Sequence, residues 1–205
     1  MNQILDFDLI LNAKVNFEYF PFFTVNDAFS SDNLHKQIVS DLPVINQGGS
    51  FPLESLTFGK NVENLIKELQ SEKMRNILDQ KFEVDLTNKP MLTTFRGYSR
   101  LRDGKIHSDS KTKIVTVLIY LNDAWGQKDG LLRMLKEKNN LEDYIEEVPA
   151  TMGSLVAFKV TENCWHGFQA YEGKRCSIQL NYLYENTLSQ HNFRHKLSSF
   201  FKRLS

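Results

Sequence analysis

The sequence has no excess of charge of either sign, since 25 lysines and arginines balance 25 aspartates and glutamates. Proteins that bind nucleic acid need clustered positive charge, so this balance argues against nucleic acid as the main partner. No run of about 18 uninterrupted apolar residues is present, which argues against a membrane-spanning helix. The start of the chain, MNQILDFDLILN, lacks the basic residues of a signal peptide, and Asp6 and Asp8 interrupt its apolar residues.

Cysteine is scarce as well. The only two cysteines, Cys164 and Cys176, are too few for a disulfide framework and predict a reduced, cytoplasmic protein. A chain of 205 residues buries about 70% of its unfolded surface, so it needs no disulfides to hold a core.

The chain is most simply one domain, residues 1–205, with three parts. We predict a helical support region over residues 1–89, a jelly-roll core over 90–185 and a C-terminal helix over 186–205. In the first region, Ser31 and Ser71 are predicted helix caps, and Pro43 stops the helix that follows Ser31.

Four segments after residue 90 are rich in β-branched and aromatic residues and predict strands: MLTTFRGYSR, KIVTVLIYLN, GSLVAFKV and RCSIQLNYLYE. The stretch LLRMLKEKNNLEDYIEEVP is charged and predicts a surface insert beside a strand. Helices followed by consecutive strands favour a mainly β (α+β) fold: a cupin-like double-stranded β-helix, or jelly roll, with N-terminal helices and a C-terminal helix.

A histidine and an aspartate stand one residue apart where the strand KIVTVLIYLN begins. In an extended segment, side chains two apart point the same way, so His107 and Asp109 can bind one ion together. His166, in NCWHGF, is the candidate third ligand, and two histidines with one carboxylate form the facial triad of non-haem Fe(II) oxygenases. An H-x-D alone is a common pattern, and each residue also fits a surface loop or a satisfied core histidine.

The strand RCSIQLNY alternates polar and apolar residues. By itself this alternation also fits a half-exposed strand with its polar side in water. One face of the strand carries Arg175, Ser177, Gln179 and Asn181.

The order of these signals resembles the Fe(II)- and 2-oxoglutarate-dependent oxygenase superfamily, and its prolyl 4-hydroxylase-like branch most of all. H-x-D is followed by a distant histidine and, nine residues later, by Arg-x-Ser, while Tyr98 stands nine residues before His107. YLND, VPATMGSLVAFK and WHGF also resemble that branch, and the likeness covers roughly residues 90 to 185. Asp129-Gly130 stands where the branch often has Gly-Gly, and both Lys174 and Arg175 stand where it often uses a lysine anchor.

The resemblance implies a dioxygenase that couples oxidative decarboxylation of 2-oxoglutarate to hydroxylation of a small molecule or prolyl-type residue. Fe(II), 2-oxoglutarate and O2 are the implied cofactor and co-substrates, with ascorbate as a supporting reductant. The retained carboxylate of Asp109 favours hydroxylation over halogenation. The implied metal ligands are His107, Asp109 and His166, and the implied 2-oxoglutarate residues are Arg175, Ser177 and Tyr98. Arg175 suits the distal carboxylate better than Lys174, because a guanidinium is planar, permanently charged and able to donate two hydrogen bonds to one carboxylate.

Two other readings stay open: a non-catalytic jelly-roll binding module, and a cupin-like metalloenzyme that does not use 2-oxoglutarate. Neither requires a dedicated carboxylate anchor, so Arg175 and Ser177 discriminate between them and the oxygenase.

The residues that contact the primary substrate are the least determined. Arg96 and Arg100 share strand parity with Tyr98, and a buried guanidinium needs an anionic partner, so an anionic substrate is one hypothesis. Solvated arginines at a sheet edge are the alternative. The candidate substrate-binding residues are Arg96, Arg100, Arg133 and Trp165. His191 and His195 are predicted to be solvated on the C-terminal helix.

Overall fold

A computed structural model of the chain describes residues 3–185. Its helices are α1 (Phe7–Asn12), α2 (Asn33–Asp41), α3 (Lys60–Leu69) and α4 (Glu72–Phe82), with a short 3-10 turn at Leu53–Ser55. Its strands are β1 (Phe22–Val25), β2 (Phe51–Pro52), β3 (Met91–Ser99), β4 (Lys113–Tyr120), β5 (Leu132–Leu135), β6 (Tyr144–Val148), β7 (Leu155–Lys159), β8 (His166–Gly167) and β9 (Gly173–Leu183).

The strands form two antiparallel sheets. The major sheet has six strands in the order β1-β7-β4-β9-β3-β2, and the minor sheet has three in the order β6-β5-β8. Apart from β2 and β3, strands that are consecutive along the chain are not neighbours within the major sheet, as is typical of a jelly roll. The predicted mainly β jelly roll with N-terminal helices is confirmed.

Strand β4 is buried on both faces and lies near the centre of the major sheet. Val115, Val117 and Ile119 pack with the helices, while Leu118 and Tyr120 face the minor sheet. Its β-branched residues suit a strand covered on both sides. The major sheet therefore separates a helix-covered core from an inter-sheet space that holds the functional groups.

The helices after Ser31 and Ser71 form where their apolar spacing predicts, but the N-cap position of α2 is Asp32 rather than the predicted Ser31, and α2 has no side-chain cap hydrogen bond. The Ser71 side chain accepts a hydrogen bond from the Met74 amide at the start of α4, as predicted. Helix α2 ends at Asp41, ahead of Pro43. The first third also supplies β1 and β2 to the major sheet, which the helical prediction for residues 1–89 missed.

The charged stretch of residues 131–149 forms β5 and β6 of the minor sheet, so its prediction as a surface insert was wrong. Leu132 and Met134 are buried, and Arg133 pairs with Glu147 across the two strands. Cross-strand ion pairs let these strands carry charge on one face.

None of the helices within residues 3–185 has the length and apolar composition needed to cross a membrane. The predicted C-terminal helix, with His191 and His195, lies outside the described residues. The division of the chain into one domain with three parts stays a prediction.

Candidate metal and co-substrate site

A short antiparallel bridge brings the two predicted histidines together at one end of the inter-sheet space. The His107 amide donates to the His166 carbonyl and the His166 amide to the His107 carbonyl, each at 3.0 Å. The two ring centroids are 4.3 Å apart. One ligand atom from each of His107, Asp109 and His166 lies within 4.8 Å of the other two, so the three groups can hold one metal ion.

Both imidazoles are oriented by backbone carbonyls. Nδ1 of His107 lies 2.8 Å from the Lys105 carbonyl oxygen, and Nδ1 of His166 lies 2.9 Å from that of Cys164. A carbonyl only accepts, so each Nδ1 carries a proton and each Nε2 keeps a lone pair for a metal.

The protonation states of the His166 imidazole and the Asp109 carboxylate also favour metal binding. Burial lowers the pKa of His166 to about 4, which keeps its imidazole neutral near pH 7. Burial favours the protonated form of Asp109, but the charges of Lys113 and His166 and the hydrogen bonds from Lys113 and Thr116 outweigh it. They hold the pKa of Asp109 below its ordinary value. The Lys113 ammonium is 2.8 Å and the Thr116 hydroxyl 2.5 Å from the carboxylate oxygens.

A cavity of about 270 Å³ opens between the two sheets next to this cluster. Its polar wall includes the four residues of one face of β9, as the alternation of that strand predicts. Apolar side chains of β4, the minor sheet and β7 complete the wall and limit the access of water. The polar residues from β9 are Arg175, Ser177, Gln179 and Asn181, and the apolar residues include Leu118, Leu132, Phe158 and Phe168.

A fixed guanidinium faces the cavity away from the histidines. Arg175 is 4% exposed, and its Nε donates to the Gly130 carbonyl at 2.8 Å. Its Nη2 donates to the Tyr120 hydroxyl at 2.7 Å, and its Cζ lies 4.0 Å from the centre of the Phe168 ring. No carboxylate among residues 3–185 forms an ion pair with Arg175, and the buried Ser177 hydroxyl has no partner there either.

The conformation of Gly130 accounts for one difference from the prolyl 4-hydroxylase-like branch, in which Gly-Gly often stands where this chain has Asp129-Gly130. Its φ is +80°, a conformation that favours glycine, and an added Cβ would lie 2.9 Å from the Trp125 ring. The glycine turns its carbonyl oxygen toward Arg175. The second glycine of the family's pair is therefore retained where the backbone needs it, and Asp129 stands at the first position.

Tyr98 does not line the cavity, whereas Tyr120 does. The pairing of β3 with β9 shifts register between Arg96 and Tyr98, with the extra residue in β9. Of Arg96, Tyr98 and Arg100, which were predicted to share a face, only Arg96 lines the cavity. Sequence reasoning missed Tyr120 because β4 is apolar on both faces and gives no alternation signal, although the YLND motif contains this tyrosine.

The other candidate residues separate into two groups. Arg96 lines the cavity, but Arg100 pairs with Asp103 at 2.9 Å and Trp165 is not among the lining residues. Arg133 does not line the cavity either, because it pairs with Glu142 at 2.7 Å and with Glu147 at 2.6 Å. Lys174, the neighbour of Arg175 on β9, is exposed and does not line the cavity.

A family model described as the 2OG-Fe(II) oxygenase superfamily matches residues 94–183. That range contains all three triad residues together with Tyr120, Arg175 and Ser177. No curated protein matches the chain in sequence.

Solved structures show the same fold at low sequence identity. A prolyl-4-hydroxylase of Pseudomonas putida has a TM-score of 0.58 at 15% identity, over 90% of this chain and 94% of that one. A prolyl 4-hydroxylase of Phytophthora capsici has a TM-score of 0.57 at 12% identity, over 96% and 77% of the two chains. HygX of Streptomyces hygroscopicus, crystallised with nickel and 2-oxoglutarate, has a TM-score of 0.54 at 13% identity, over 83% and 84%. Residues 94–183 therefore match the 2OG-Fe(II) oxygenase superfamily, and the chain has a prolyl 4-hydroxylase-like fold.

Proposed function

We propose that His107, Asp109 and His166 bind the Fe(II) of this oxygenase, and that Arg175, Tyr120 and Ser177 bind the distal carboxylate of 2-oxoglutarate. One observation carries the proposal: a His-Asp-His cluster and a buried guanidinium without a described acidic partner face the same small cavity. A keto acid with a carboxylate at each end fits a metal at one end and a cation at the other.

The residues fit an iron ion and its co-substrate. Two neutral imidazoles and one ionised carboxylate form the donor set of the facial triad, which leaves positions open for other ligands. The unpartnered hydroxyl of Ser177 lies beside Tyr120 across the paired strands. A buried hydroxyl without a partner costs roughly 1–3 kcal/mol, and an incoming carboxylate would supply its acceptor.

Bound Fe(II) supplies the redox chemistry by which 2-oxoglutarate, O2 and a substrate C–H bond become succinate, CO2 and a C–OH bond. The chain itself positions the reactants. Arg175 holds the distal carboxylate so that the keto-acid end faces the triad, while Lys113 and Thr116 hold the Asp109 carboxylate. The apolar walls limit competing reactions with water.

The anchor predicts a strong preference among keto acids. We expect 2-oxopentanoate, which has a methyl group in place of the distal carboxylate, to support turnover about 10- to 100-fold less well than 2-oxoglutarate. This range corresponds to the loss of one charge-assisted contact, about 1.5–3 kcal/mol. Oxygen consumption by the Fe(II)-loaded protein, with ascorbate present, measures both acids under the same conditions.

The same comparison tests the two alternative functions. Equal turnover of the two keto acids would contradict a distal carboxylate anchor. Absence of turnover with both acids, in protein that retains bound Fe(II), would favour a binding module or a cupin-like metalloenzyme that does not use 2-oxoglutarate. The cytoplasmic location predicted from the two cysteines stays a prediction, and both cysteines are buried and free.

Thr116 provides a test of how Asp109 is positioned. Valine keeps the shape of threonine but removes the hydroxyl that donates to the Asp109 carboxylate. We expect Thr116→Val to bind Fe(II) about 10- to 100-fold more weakly, because partners that orient a ligand typically contribute this much. Anaerobic titration with a competing chelator measures the affinity.

Thr93→Val is the matched control, because the Thr93 hydroxyl bonds Gln70 and does not line the cavity. Equal Fe(II) affinities of Thr116→Val and Thr93→Val would contradict the positioning role.

A further inference from the structure

Arg96 is a second cavity-lining arginine without a described acidic partner. Among residues 3–185, Arg100 and Arg133 each form an ion pair with a carboxylate, whereas Arg96 forms none. Burial lowers the pKa of Arg96 and the nearby charge of Arg175 lowers it further, while the charge of Asp103, which forms no ion pair with Arg96, only partly offsets them. Two like charges in one cavity destabilise each other, so each needs an anion nearby.

Arg96 lies beside the proposed co-substrate anchor. In the register of the major sheet, Ser177 of β9 stands opposite Arg96 on one side and opposite Tyr120 on the other. Directly opposite residues have Cβ atoms about 4.5–5.5 Å apart. The row Arg96, Ser177 and Tyr120 therefore crosses one wall of the cavity.

The two arginines are held toward opposite sides of this row. Arg175 uses Nε and Nη2 on Gly130 and Tyr120, on the side of β4. Arg96 donates from Nε to the Ser50 hydroxyl at 3.0 Å, on the side of β2, where Ser50 also lines the cavity. Among the described residues no hydrogen bond is made by the two terminal nitrogens of Arg96, which leaves their four N–H donors for a ligand.

One bound 2-oxoglutarate does not neutralise all the positive charge that lines the cavity. Its keto-acid carboxylate and Asp109 offset an Fe(II) ion, and its distal carboxylate offsets Arg175. Arg96 is then offset only by Asp103, whose carboxylate is already paired with Arg100, and Lys113 adds further positive charge at the metal end. A second anionic group is therefore needed once 2-oxoglutarate is bound.

We propose that Arg96 binds a carboxylate or phosphate group of the primary substrate, so that this oxygenase acts on a small anionic molecule. The proposal rests on the function proposed above, because the co-substrate must occupy Arg175. A cavity of about 270 Å³ shared with 2-oxoglutarate favours a compact substrate. The substrate's anionic group lies on the β2 side of the cavity.

Anion titrations of the loaded protein test this assignment. Protein saturated anaerobically with Fe(II) and 2-oxoglutarate is titrated calorimetrically with acetate and, separately, with inorganic phosphate, at constant ionic strength. We expect at least one of the two anions to bind saturably, and Arg96→Met to bind it at least about tenfold more weakly, the loss of one charge-assisted contact. The stronger ligand of the two identifies the class of the substrate's anionic group.

Arg100→Met is the matched control, because Arg100 lies close by on the chain and pairs with Asp103 outside the cavity. It should bind the anion as the wild-type protein does. Binding of neither anion by the wild-type protein, or equal binding by Arg96→Met, would overturn the proposal.

A second readout assigns Arg96 to the substrate rather than the co-substrate. We expect Arg175→Met to raise the apparent KM for 2-oxoglutarate much more than Arg96→Met does. Equal increases would place Arg96 in the co-substrate anchor and overturn the proposal. Failure of the wild-type protein to decarboxylate 2-oxoglutarate would instead refute the proposed function. Titration of Arg175→Met and Arg96→Met loaded with Fe(II) alone would then distinguish an anion bound at Arg96 from one bound at Arg175.

Discussion

His166→Ala is expected to lose 2-oxoglutarate decarboxylation almost completely. The substitution removes one of three proposed metal ligands and the buried imidazole whose Nδ1 is fixed by the Cys164 carbonyl. Changes to residues that only orient a ligand cost about 10- to 100-fold, so loss of a ligand should cost more than about 100-fold. Succinate formation and Fe(II) retained after dialysis are measured on the same preparation.

His35→Ala serves as the control for His166→Ala. His35 lies on α2, where its Nε2 is 2.8 Å from the Asp27 carboxylate, and it does not line the cavity. Since a buried imidazole also packs, His166→Gln is compared at matched thermal stability to separate ligand loss from unfolding. Iron-dependent turnover at the wild-type rate in a folded His166 variant would remove this residue from the triad.

Arg175→Met is expected to raise the apparent KM for 2-oxoglutarate about 10- to 100-fold, because it removes one charge-assisted contact worth about 1.5–3 kcal/mol. Methionine keeps much of the apolar contact with the Phe168 ring, over which the guanidinium lies. Initial rates of succinate formation across a 2-oxoglutarate series measure the change.

Lys174→Met is the matched control for Arg175→Met. The two residues are neighbours on β9, and Lys174 is exposed and does not line the cavity. A larger increase in KM for Lys174→Met than for Arg175→Met would move the anchor to the lysine.

The site could be anticipated from the sequence where strand periodicity was regular. Alternation along β9 placed Arg175 and Ser177 on the face that lines the cavity. The spacing of His107 and Asp109, and the position of His166 before β9, predicted a cluster that the backbone bridge between the histidines brings together. Their metal-binding role itself stays a prediction.

Local irregularities in the strands could not be predicted from the sequence. Tyr98, next to the register shift between β3 and β9, does not line the cavity, and the apolar residues of β4 gave no pattern by which to identify Tyr120. A bulge and a strand buried on both faces both remove the two-residue period on which such predictions depend.

Fold details failed where tertiary pairing outweighed composition. The charged residues 131–149 became strands because Arg133 found Glu147 across the hairpin and stacked on Tyr144. Strand β1, within the region predicted to be helical, is a four-residue apolar segment that pairs with β7. Short strands of this kind depend on partners distant in the chain, which no local pattern specifies.

Turnover of 2-oxoglutarate by the wild-type protein loaded with Fe(II) in air is the most direct test of the proposed oxygenase activity. We expect succinate and CO2 in equal amounts, with formation of both abolished by a chelator, by exclusion of O2 and by His166→Gln. A folded protein that binds Fe(II) and 2-oxoglutarate but forms no succinate, with or without candidate anionic substrates, would contradict this activity.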